Sequence, residues 1–219
     1  MKEIRANGKG SYTDFGLCIK SRTISLPKKK IIKEDIPFKN GSYDFSSING
    51  EIYWENREIQ YVFDISDLDF TVVELLKERV VDWLLNIHET QIEDDYNKNY
   101  YYFGSFDSDS WKEEWEQSEL SVKFSVYPYK YGKTLTTRTE TVTTAEKTIT
   151  INNESSHRII PTMTVDANIS LTIGENTYAL TSGTHIESEY LLNKGDNIWK
   201  VKTETGTANM NISYRKEVF

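Results

Sequence analysis

The chain has 219 residues, a net charge of −8, 37% hydrophobic and 27% charged residues, and a single cysteine. That length holds one large or two modest domains, with enough apolar residues for a core and much surface left for solvent or a partner. The acidic balance argues against a sequence-tolerant nucleic-acid binder, and one cysteine excludes an internal disulfide; no run of about 18 apolar residues is present to cross a membrane as a helix.

The first ten residues, MKEIRANGKG, hold no apolar signal segment, so synthesis and folding in a cytosol is the expectation. Residues 10–26 are rich in Tyr, Phe, Ile and Thr and read as one or two strands, with Cys18 as a small buried strand residue. Pro27 and the lysines Lys28, Lys29 and Lys30 end that run in a solvated turn. Residues 31–38 contain Pro37 and fit an edge strand. Asn40-Gly41 and Asn49-Gly50 are tight-turn dipeptides flanking a short extended piece, 42–46. In 51–64, Ile59, Tyr61 and Phe63 alternate as a half-buried strand, and Asn56-Arg57 marks a bend or bulge before it.

The period then changes. Val72, Val73, Leu75, Leu76, Val80, Trp83, Leu84 and Ile87 recur at helical spacing, which predicts one amphipathic helix over 71–87. Asp69 or Thr71 is its candidate cap, with Glu74 completing a capping box, and His88 is placed to meet the C-terminal carbonyls. Residues 89–119 hold ten acidic and two basic residues, so the whole net charge sits there and the rest of the chain is neutral. Their aromatic run Tyr100, Tyr101, Tyr102 and Phe103 predicts an extended hairpin or arm over 94–119.

Residues 120–127 alternate as a strand with Leu120, Val122, Phe124 and Val126 on one face, and Pro128 to Gly132 is expected to stop it. Beyond this the chain is Thr-rich and β-branched with no helical period. Candidate strands are 140–151, 158–165, 168–173, 177–181, 184–190, 197–203 and 208–216, the spacing of a small all-β sandwich. The expected division is a domain over 1–132 and a second over 133–219.

Catalytic vocabulary is sparse. The three histidines, His88, His157 and His185, show no metal-ligand spacing, and there is no phosphate-binding glycine loop and no Gly-x-Ser-x-Gly elbow. Glu113, Glu114, Glu116 and Glu119 lie near Trp111 and Trp115, but acids crowded on a loop offer no means of raising one pKa while lowering another, as a glycosidase needs. Asp166-Ala167-Asn168 and Gly195-Asp196-Asn197 read as turns rather than calcium loops. No catalytic, cofactor-binding or metal residue is assigned, and no cofactor is expected.

In its first half the chain resembles the distal tail protein family of long-tailed phages, especially those of Gram-positive hosts. The resemblance lies in Asp14-Phe15-Gly16-Leu17, Pro27, Ile36-Pro37, Asn40-Gly41, Tyr43-Asp44-Phe45-Ser46 and Asn56-Arg57. It continues in the helix ending near Trp83-Leu84 and in Pro128-Tyr129-Lys130-Tyr131-Gly132. A looser fit follows in Asn152-Asn153, Pro161, Leu192, Gly195, Asn197 and Ile212-Ser213-Tyr214-Arg215. The chain departs from the family at Ile36-Pro37-Phe38-Lys39-Asn40-Gly41, where many members have Ile-Pro-Gly-Arg-Asp-Gly.

The resemblance implies a mainly β protein: an N-terminal sandwich-like domain with one α-helix and a hairpin arm, then a C-terminal galectin-like or carbohydrate-binding-module-like β-sandwich. It implies a non-enzymatic hub at the virion tail tip, a homo-hexameric ring, alone or stacked, that joins the tail tube protein to a baseplate or fibre protein. It implies further that DNA passes through the lumen and that no membrane is involved. Candidate subunit-interface residues are Tyr100, Tyr101, Tyr102, Phe103 and Trp111 on the arm, with Tyr43 and Phe45 on the earlier loop. The alternative is a cell-wall carbohydrate-binding module, and behind it a cell-wall hydrolase.

Overall fold

The structure is a computed structural model that describes residues 2–38, 40–47, 50–65, 70–112 and 118–219, with only the backbone of Phe70 and Thr71. The protein is mainly β and, among the described residues, has one α-helix. The chain forms two compact units, 1–130 with Phe219 and 131–218.

The first unit contains β1 (Ile4–Ala6), β2 (Lys9–Gly10), β3 (Cys18–Ile24), β4 (Lys33–Asp35), β5 (Ser42–Asp44), β6 (Arg57–Asp64), α1 (Phe70–Leu85), β7 (Thr90–Asp94), β8 (Tyr100–Lys112) and residues 119–130 of β9 (Glu119–Thr143). Its main sheet runs β2-β1-β7-β8-β9-β6-β3. Asn7 and Gly8 make the β1–β2 turn with φ of 49° and 74°. Positive φ at both positions is what a two-residue hairpin with the strand twist demands, and Asn-Gly supplies it at low cost.

Period-2 alternation decides which face is buried. Ile59, Tyr61 and Phe63 on β6 stand opposite Phe124, Val122 and Leu120 on β9, and all six are buried. The sheet curls over this face: Arg22 on β3 reaches Asp94 on β7 at 2.5 Å, although three strands lie between β3 and β7 along the sheet. Helix α1 presents Val73, Leu76, Val80, Trp83 and Leu84 to the same core. Trp83 stacks on Phe15 at 4.9 Å and donates its indole N–H to the Ala6 carbonyl at 2.9 Å. The expected capping residue Asp69 and the Thr71 side chain lie outside the described residues.

Strand β9 continues through Pro128, where the sequence predicted a stop. The last β6–β9 rung is Arg57–Val126, so Pro128 falls beyond the end of β6, where a strand tolerates a missing donor. His88 does not serve the helix end as expected. Its Nδ1 lies 3.3 Å from Ser105 Oγ on β8.

The second unit holds residues 131–143 of β9, β10 (Lys147–Asn153), β11 (Thr162–Val165), β12 (Ile169–Ile173), β13 (Asn176–Leu180), β14 (Gly183–His185), β15 (Gly195–Thr203) and β16 (Thr207–Val218). One sheet is β14-β11-β16-β9 and the other β10-β15-β12-β13. Between them lie Val142, Ile149, Leu171, Trp199, Val201 and Met210. The predicted strand 140–151 is two strands with a turn at 144–146, and the predicted 184–190 is only the three-residue β14. Asn197, read as a turn residue, is buried and donates to the carbonyls of Asn193 (2.7 Å) and Gly195 (3.0 Å), fixing the turn into β15.

Candidate functional site

The most unusual surface of the first unit is built by 25–56. These residues leave β3 and return to β6 as one long hairpin. Ser25 donates its N–H to the Glu58 carbonyl (3.0 Å), Glu55 to Lys28 (2.8 Å), Lys30 to Tyr53 (2.8 Å) and Phe45 to Ile32 (2.8 Å). An isolated Lys29–Trp54 bridge and the separate two-stranded β4–β5 sheet complete the ladder. At the root, Trp54 meets Phe219 edge-on at 5.0 Å. Asp44 accepts from Ser46 N–H at 2.9 Å, and the hydroxyl and amide of Ser46 hold the Asp44 carboxyl below its ordinary range. Ser46 Oγ in turn accepts from Ile32 N–H at 2.9 Å.

This arm exposes large apolar side chains along its length: Leu26 at 81%, Ile31 at 62%, Phe38 fully, and Ile32, Ile36, Tyr43, Phe45, Ile52 and Tyr53 at 39–50%. Tyr43 and Phe45 stack at 6.2 Å on it. Scattered exposed apolar residues are ordinary, but here many lie on one two-stranded element. Burying each such side chain stabilises an interface by about 1.5–3 kcal/mol before ordering costs.

Where it is described, the arm expected over 94–119 is largely strand β8, which is exposed over residues 107–110. Tyr100, Tyr101, Tyr102 and Phe103 lie in β8, which pairs with β7 and β9 on its two edges. Tyr102 is 2% exposed in this unit's own core, opposite Ile92. The other three are half-buried: Tyr100 lies under Lys130, and Phe103 packs on Tyr127 at 5.5 Å. Trp111 packs against the core and donates its indole N–H to Asp109 at 2.6 Å. Glu113, Glu114, Trp115 and Glu116 lie outside the described residues, and Glu119 is ion-paired with Lys20.

A second feature lies where β6, β8 and β9 meet at the root of the arm. Tyr61 donates to Asp94 at 2.8 Å, and burial, reinforced by the Asp94 charge, pushes its phenol well above the ordinary value. Arg22 is neutralised by the same carboxylate. Arg57 is 4% exposed, and its guanidinium carbon lies 5.1 Å from the Tyr102 ring. Burial pulls its pKa down. Lys130 Nζ lies 5.5 Å from the Tyr100 ring, and burial, then the Arg57 and Arg22 charges, lower its pKa. Asn56-Arg57 stands out in the sequence, but nothing local to it shows that Arg57 is buried.

The larger cavities are lined by groups already in use. One of about 640 Å³ is lined by Glu3, Arg5 and Asp14. Glu3 accepts from Thr13 N–H (2.8 Å), Thr13 Oγ1 (3.0 Å) and Tyr12 N–H (3.1 Å); these bonds and Arg5 outweigh burial and hold its pKa low. In the second unit a cavity of about 390 Å³ is lined by Arg138, Glu154, Tyr214 and Lys216. There Arg138 bonds Glu140 at 2.6 Å, Lys216 bonds Glu154 at 2.6 Å, and the half-buried Tyr214 donates to the Asn152 carbonyl at 2.7 Å. No group of three or more metal-ligating side chains occurs among the described residues.

No family model matches the chain, and no curated protein matches it. Its fold is that of a solved phage protein, the SPP1 Dit (gp 19.1) protein, described as a paradigm of the hub adsorption apparatus in Gram-positive-infecting phages. The two share a TM-score of 0.70 at 14% identity, over 98% of this chain and 99% of that one.

Proposed function

We propose that this chain is the structural hub of a phage or prophage tail tip. It assembles as a hexameric ring, joins the tail tube protein to a baseplate or fibre protein, and leaves a lumen through which DNA passes. It is made in the bacterial host and acts without catalysis or a cofactor. The full-length likeness to the SPP1 hub protein supports this reading, and the observation that carries it is the apolar arm 25–56. An apolar surface of this extent favours association with a partner, and a ring supplies that cover through a head-to-tail contact that closes on itself.

In this reading Tyr43 and Phe45 are interface residues on the arm, together with Leu26, Ile31 and Phe38. Tyr100, Tyr101 and Phe103 form a shallower contact on β8, while Tyr102 and Trp111 support it from beneath. The net charge of −8 suits a lumen that does not grip phosphates. Light scattering across a concentration series, with negative-stain imaging, tests the proposal. A mass about six times the 25.5 kDa subunit and ring-shaped particles are expected. A strict monomer at every concentration would overturn self-assembly.

A further inference from the structure

We propose that Arg57, with Lys130 beside it, is a receptor for a carboxylate side chain supplied by a second copy of this chain. The inference rests on the self-assembly reading above and names a polar contact within it. Arg57 opens β6 opposite Val126. Its Nε and Nη2 are buried and have no hydrogen-bond partner among the described residues. A guanidinium keeps its proton in a protein, so Arg57 cannot escape the cost of burial by neutralising. Left without an anion it costs the subunit stability, a cost that a partner carboxylate relieves.

Among the described residues, no acid of the subunit hydrogen-bonds the buried Nε or Nη2. Asp94 is committed to Arg22 and Tyr61. Asp107 and Glu58 line the same cavity, yet Asp107 accepts from Ser108 at 3.1 Å and Glu58 pairs with Lys123 at 3.4 Å. Lys130 adds a second cation with no carboxylate partner among the described residues, and Tyr100 and Tyr102 wall the pair with ring faces.

The cavity at Arg57 measures about 160 Å³ and is lined by Asn56, Arg57, Glu58, Asp107, Phe124 and Ser125, with Lys130 outside that lining. That holds one amino-acid side chain and is too small for an ordinary small-molecule ligand. Asp107 and Glu58 in its lining repel a free anion arriving from solution. A carboxylate fixed to a docking protein surface overcomes that repulsion, because the rest of the interface supplies the binding free energy. Segment 89–119, which carries all of the net charge, offers such carboxylates on every copy.

The test compares wild type with Arg57→Met, Arg57→Lys and Lys130→Met. Assembly is read by light scattering across a concentration series, and stability by thermal unfolding of the dilute, unassembled chain. Removing an uncompensated buried charge stabilises the lone subunit, so Arg57→Met is expected to raise its Tm by about 2–6 °C. It is also expected to shift the midpoint concentration of assembly upward by at least about thirty-fold. Lys130→Met should shift assembly in the same direction by less, and Arg57→Lys should retain part of the affinity.

If wild type and Arg57→Met assemble alike, the carboxylate receptor is overturned and the hub reading stands. If Arg57→Met unfolds at a lower temperature or fails to fold, Arg57 is satisfied inside its own subunit and the inference falls. In that case unchanged assembly of Lys130→Met would confirm the failure. A wild type that never self-associates would overturn the receptor and the self-assembly reading together.

Discussion

Two stretches of the first unit have similar vocabularies and opposite environments. Residues 25–56 and the 100–112 strand both mix aromatic or β-branched residues with charge. In β8 both edges are paired and Tyr102 fills the core, whereas the described strands of the hairpin 25–56 pair with one another and leave Phe38 fully exposed. The difference shows that aromatic richness alone does not tell an exposed element from a covered one. Whether the neighbouring strands cover an aromatic residue decides its role, and that depends on contacts distant in sequence.

Perturbing the two stretches should therefore give opposite results. The largest effect is expected from Tyr102→Ala, which empties a core position and should destabilise the lone subunit by about 3–5 kcal/mol in urea unfolding. Gly104→Ala should cost about 1–3 kcal/mol, because a Cβ there would meet Ser125 O at 2.2 Å and Val126 Cα at 2.6 Å, both backbone atoms.

A smaller, pH-dependent effect belongs to Glu3. Its folded-state pKa is lowered, so its contribution is present above the ordinary glutamate range and is lost as pH falls through the folded value. Glu3→Gln should lower the Tm at neutral pH and flatten its fall on acidification. The smallest effect on the lone subunit is expected from Phe38→Ser, within about 0.5 kcal/mol of wild type. The same substitution should weaken assembly clearly. A large loss of subunit stability from Phe38→Ser, or none from Tyr102→Ala, would break the comparison.

Local period made much of the fold legible. The helical spacing from Val72 to Ile87 corresponds to α1, and the alternations Ile59-Tyr61-Phe63 and Leu120-Val122-Phe124-Val126 correspond to the paired inner faces of β6 and β9. The arm was not legible, since a hairpin that stands in solvent has the same turns and alternation as one inside a sheet. Nor was the run of β9 through Pro128, because whether a strand tolerates proline depends on where its neighbour ends. Arg57 had only its place beside Asn56 to distinguish it. Its burial follows from β8 and β9, which lie more than forty residues later in the chain.

Hydrogen exchange measured on the same protein, dilute and concentrated, tests the central claim most directly. The account predicts that the arm amides of Lys30, Phe45 and Glu55 exchange readily in the dilute chain and become protected on assembly, while the β8 amides are protected in both. Arm amides that exchange equally fast in the assembled protein, or a protein that never assembles, would contradict it.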